Sequence, residues 1–227
     1  QSGNGYARII SPGGTDFTGG TQTGSFTILG NVDVADLNTA SQAFNITIGQ
    51  SGASTIGSNT TFNNTGTLTL GSNAAGQSFA VTGTLTASAQ SAINVAGAIT
   101  SSGTQTYGAL NIVNDTTLTS NSGAVSLGGA VNGAAALTVN SSSNFTLSNA
   151  IGSNTALTGF TVGTSSSTNN ATISATVNVD GDITLFGNDI TLNQDLTVSS
   201  GNNVIISAAN DFDNNAGSDA ITVSGAG

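Results

Sequence analysis

Residues 177–206 read VNVDGDITLFGNDITLNQDLTVSSGNNVII. Val177, Val179, Ile183, Leu185, Ile190, Leu192, Leu196, Val198, Val204 and Ile206 alternate here with small polar residues, the period-two pattern of short strands that each bury one face. Corners are expected at Asp180-Gly181, Gly187-Asn188 and Gly201-Asn202, where the residue types tolerate positive φ. The same apolar, small polar, apolar phrase returns along the chain, as in Phe26-Thr27-Ile28, Leu68-Thr69-Leu70, Ile93-Asn94-Val95, Leu137-Thr138-Val139 and Ile221-Thr222-Val223. Anchors at Ile46, Leu68, Ile93, Leu110, Val125, Phe145, Phe160, Ile183, Val204 and Ile221 lie 15 to 25 residues apart. Such spacing suits an all-β solenoid of about ten coils, each coil hydrogen-bonded to the next, in a rod on the order of 50 Å long. The alternative arrangement of the same strands is an antiparallel β-sandwich.

Composition supports strands and excludes most chemistry. Ser, Thr, Asn and Gly make up 123 of the 227 residues. These types favour turns and extended segments over helix interiors, while the 37% hydrophobic content is enough to separate the chain from disordered sequences. There is no Cys, Met, Trp, His, Lys or Glu; Arg8 is the lone cation, and all eleven acids are Asp, for a net charge of −10. One Arg cannot neutralise phosphates, so neither nucleic acids nor anionic membrane surfaces are expected partners, and no apolar run is long enough to insert into a membrane. The absence of Met implies an N-terminus made by processing, such as signal-peptide removal, or the start of an excerpt. Together with the dearth of Lys and Arg at which trypsin-like proteases cut, it points to secretion, onto a bacterial surface or into the extracellular matrix.

Residues 1–25 hold the only Pro (Pro12), the only Arg and one of two Tyr. They are expected to form an N-terminal cap or connector, with Ile9 and Ile10 pairing onto the first coil, while residues 26–227 form the repeat domain. Ile221-Thr222-Val223 is a strand phrase with no comparable cap after it.

Between residues 177 and 212, the phrases Gly-Asp-Ile-Thr-Leu, Asn-Asp-Ile-Thr-Leu and Asn-Val-Ile-Ile-Ser resemble the repeat regions of large bacterial surface exoproteins of the filamentous-haemagglutinin type. In style the resemblance covers most of residues 26–223. It implies a right-handed parallel β-helix and an elongated, exported, adhesive or fibrous role, and it carries no functional residues across.

No enzyme is expected. Lyases of this shape need a strong base, and hydrolases need paired acids with one raised pKa; Asp180 with Asp182, or Asp211 with Asp213, are the only pairs at hand, and each reads as a solvated turn. No cofactor is implied. Calcium is the one ion the oxygen-rich loops suit, with Asp211 and Asp213 as its ligands; the Gly13-Gly14-Thr15-Asp16 stretch resembles one isolated calcium-binding turn. Thr-x-Thr phrases recur at uneven gaps, against a flat ice-binding array, and the Asn-x-Ser/Thr sequons are as frequent as chance allows in such a composition. Glycans are an alternative partner, with Tyr6 or Tyr107 as platforms in a carbohydrate- or host-binding adhesin segment. The favoured reading uses the open ends of the rod, because solenoid ends are unpaired sheet edges. Ile9 and Ile10 at one end and Ile221 and Val223 at the other would let copies stack head to tail into a homopolymer, the structural unit or shaft of an extracellular fibre.

Overall fold

The computed structural model describes residues 9–11, 15–17, 24–72, 77–167, 169–215 and 221–223. Every strand pairing among them is parallel, which removes the sandwich alternative and makes the chain a parallel β-solenoid of about nine turns. Each turn contributes one strand to each of three faces. Face A starts with Ile9–Ser11, Val32–Val34 and Ala53–Ile56 and ends with 204–208; face B runs from Thr15–Phe17 through Leu37–Thr39 and Thr60–Phe62 to 211–214; face C runs from Gly24–Thr27 through Phe44–Ile48 and Thr67–Leu70 to Ile221–Val223. Nine steps of strand spacing set the length of the rod at about 43 Å.

Alternation turns the inward residues of each face into columns. Phe79, Ile99, Leu118, Val139, Val162, Leu185 and Ile206 follow one another in register on face A. Ile46, Leu68, Ile93, Leu110, Val131, Ile151, Val177, Leu196 and Ile221 do so on face C. Except at the last coil these side chains are buried in one continuous core, so each of these columns is packed from coil to coil and is mostly aliphatic. The outward position of the three-residue face B strands forms its own column, Thr61, Thr86, Thr106, Ser126, Thr146, Thr172 and Thr191. β-Branched threonine suits this half-exposed pleated surface.

Corners are built in two ways. Gly201 turns with φ of +84°, as its Gly-Asn pair suggests. Gly181 is needed for space instead: a Cβ there would lie 1.7 Å from the Thr158 carbonyl oxygen of the preceding coil. The expected corner at Gly187-Asn188 is no break at all. Ile183–Leu192 is one strand that bends from face A to face B through a bulge, where the register against the next coil shifts between Gly187 and Asp189; an extra residue bends a strand without ending it.

Candidate functional site

A repeated hydrogen bond prepares the ends of this rod. At the start of a face, the first paired residue or the one just ahead of it turns its own N–H back toward the preceding coil. Five times an Asn or Asp side chain at the same register position in that coil accepts it: Thr67 N–H donates to Asn45 Oδ1 (2.8 Å), Thr84 to Asn59 (2.8 Å), Ala136 to Asp115 (2.9 Å), Asp189 to Asn170 (3.3 Å) and Asn203 to Asp182 (2.7 Å). At Asn203 the backbone shows why. Its carbonyl already accepts the Ile183 N–H at 3.0 Å, and the Asp182 carboxylate of the coil before supplies the acceptor for its own N–H. All five point the same way, from a backbone donor in one coil to a side-chain acceptor in the coil before it.

At the C-terminal end the inward columns finish on side chains above which, among the described residues, no further strand pairs. Phe212 follows fully buried Ile190 and is 42% exposed, and Ile221 follows buried Leu196 and is 46% exposed. Ile206, above fully buried Leu185, is only partly covered. With Val204, Ser207 and Ala208 they line an open hollow. Val223 pairs with Val198 and the strand Ile9–Ser11 pairs with Val32–Val34; the side chains of Ile9, Ile10 and Val223 lie outside the description.

Asp211 and Asp213 sit on the exposed outer side of strand Val204–Asn214, two residues apart about Phe212, and Asp211 lies in register beside Asp189. Asp189 takes a hydrogen bond from Asn210 Nδ2 at 2.7 Å. Among the described residues no group of three or more carboxylates is arranged to hold a metal ion. The other acid pair is absorbed by coil stacking: Asp182 accepts the Asn203 N–H, and the Asp180 carbonyl accepts Ser199 Oγ at 2.6 Å and Asn202 Nδ2 at 2.7 Å. Asp36 is held below the usual carboxylate range, first by the Ser58 hydroxyl (2.6 Å) and then by Asn38 Nδ2 (2.8 Å), again a tie between one coil and the next.

Tyr107 is not a surface platform. It lies in the core at 1% exposure, its hydroxyl donating to Gln105 Oε1 at 2.9 Å while Gln105 Nε2 reaches the Thr119 carbonyl at 2.8 Å. Burial pushes its phenol above the ordinary tyrosine range. Tyr6, Arg8, Pro12, the Gly13-Gly14 pair and Asp219 lie outside the described residues.

Comparison with protein-family models, with curated proteins and with solved structures finds no match for this chain.

Proposed function

We propose that the chain is the structural shaft, or a repeating subunit, of an extracellular bacterial surface fibre that extends head to tail through the open ends of its solenoid. The observation that carries this reading is the stack of buried side chains that runs from coil to coil on three faces, held by parallel strand pairing and tied at the corners by side chains that reach the adjacent coil. Such a stack is stiff along its axis, because each coil loses its burial and its hydrogen bonds if it separates from the next. The outer wall of Thr, Ser and Asn with net negative charge keeps rods apart laterally. Its work is mechanical: a spacer that holds its length and offers little to proteases.

Immunogold electron microscopy tests the reading on the producing bacterium. Antibody against the purified chain should decorate extended structures on intact cells. Label that appears only after lysis overturns it.

A further inference from the structure

We propose that the C-terminal coil is the receiving end of a directional joint, and that its occupant is the first coil of a second copy of this chain, seated in continuing register. This rests on the fibre reading above and adds to it the face, the partner and the contacts. Three observations converge. The hollow lined by Val204, Ile206, Phe212 and Ile221 is the top of the same three columns that every internal coil covers with its successor. The ladder's alternation, set by Ile183 donating forward to Asn203, directs the N–H groups of Val204 and Ile206 off the end of the rod, as donors for an added parallel strand. The side-chain acceptors continue as well: Asn203 stands where Asp182 stands one turn earlier, and Asp211 where Asp189 and Asn170 stand before it.

The opposite end offers the matching surface. The strands Ile9–Ser11, Thr15–Phe17 and Gly24–Thr27 belong one to each face, and among the described residues each pairs with a strand on one side only. Strand starts fall at residues 9, 15 and 24 in the first coil and at 204, 211 and 221 in the last. The two ends therefore present faces A, B and C in the same order with corners of similar length. Ile9 pairs with Val32 in the column that runs through Phe79, Ile99, Leu118, Val139, Val162 and Leu185 to Ile206, so a first coil seated in continuing register places Ile9 on Ile206 and Ile10 on Ser207. The contact is heterologous and does not close, so it propagates.

The chain has no cysteine, so a designed pair reports register without background. In the doubly substituted chain Ile10→Cys with Ser207→Cys, the two positions lie at opposite ends of one rod and are adjacent only across a joint, where in-register strands bring Cα atoms within the span of a disulfide. Mild oxidation should give a ladder of covalent dimers, trimers and longer species. The pair Thr27→Cys with Ser207→Cys puts one thiol on face C and the other on face A, and should give less than a tenth as much. Sedimentation supplies the second measurement: Phe212→Asp should weaken end-to-end association of the otherwise unaltered chain at least tenfold, with its circular dichroism unchanged. Equal ladders from both pairs, or single rods at every concentration, overturn the joint. Single rods of the expected length would still leave the shaft reading standing, whereas particles that are not rods would remove both.

Discussion

At the scale of single residues, the side chains that look most like chemistry serve the backbone. Asp115 is exposed, yet its Oδ1 is the acceptor for the Ala136 N–H of the next coil. Asp115→Ala should cost about 0.5–1.5 kcal/mol in denaturant unfolding and accelerate hydrogen exchange at Ala136, while Asp115→Asn, which keeps the carbonyl oxygen, should leave both near wild type. Equal effects from the two would mean that charge matters here rather than the acceptor. Tyr107 makes the opposite point, because a residue that reads as surface is core. It sits in the phrase Gln105-Thr106-Tyr107, where the inward positions hold an amide and a phenol that satisfy each other. A search for apolar residues at alternate positions passes over such a phrase, since nothing in one strand shows that two polar tips meet inside. The pH consequence has a definite sign. The phenol's pKa is raised in the fold by burial, so its contribution to stability is complete below the unfolded tyrosine value of about 10 and is lost as pH rises above it. Alkaline titration followed at the phenolate absorbance should show Tyr107 ionising only together with loss of the β-sheet dichroism; a free, reversible phenolate in the folded chain would contradict its burial.

At the scale of strands and corners, alternation was legible and spacing was only half so. The inward residues of 177–206 are all buried or at the open end as the period of two requires. The repeat length blurred because the chosen anchors change face: Leu110 lies on face C, Val125 and Phe145 on face B, and Phe160 on face A. Two gaps of 15 residues are thus parts of turns. Measured on face A alone, in-register steps such as Leu118 to Val139 and Val139 to Val162 are 21 and 23 residues. The threonine column of face B hid for the same reason, since its members stand one per turn while the Thr-x-Thr phrases lie on several faces. Of the end surface, Ile221 was legible as a late strand phrase; Ile206 and Phe212 were not, because only the coil pairing reveals that, among the described residues, no strand pairs above theirs. Corner glycines divide by mechanism. Gly181→Ala drives a Cβ into the Thr158 carbonyl of the coil below and should destabilise by about 2–3 kcal/mol or more, the range of other backbone clashes. Gly201→Ala meets nothing within 4 Å and should cost only the left-handed penalty of about 1–2 kcal/mol. Thermal unfolding of the two variants checks the order, and a smaller loss at Gly181 would refute the close approach.

At the scale of the whole molecule, the fold is a sum of coils that touch only their neighbours, so its integrity should depend on counting turns rather than on any one segment. Leu118 and Val139 occupy the same inward position one turn apart. Removing residues 119–139 joins Leu118 to Asn140, the residue that follows Val139, and brings the strand Phe145–Leu147 onto Gln105–Tyr107 in the register that Val125–Leu127 held. The corner serines exchange as well: Ser120 Oγ donates to the Gly103 carbonyl, and Ser141 Oγ does the same to Gly123 one turn later. A deletion of one whole turn should therefore fold, keep the dichroism of the parent, and give a rod shorter by about 4.8 Å in small-angle scattering. Removing residues 119–128 instead takes out part of a turn. Strands of face A would then be followed directly by a strand of face C, like faces would no longer meet, and the aliphatic columns would be severed on all three sides. That variant should lose its cooperative melt. If both deletions behaved alike, the stability of the rod would not come from the stacking of equivalent coils.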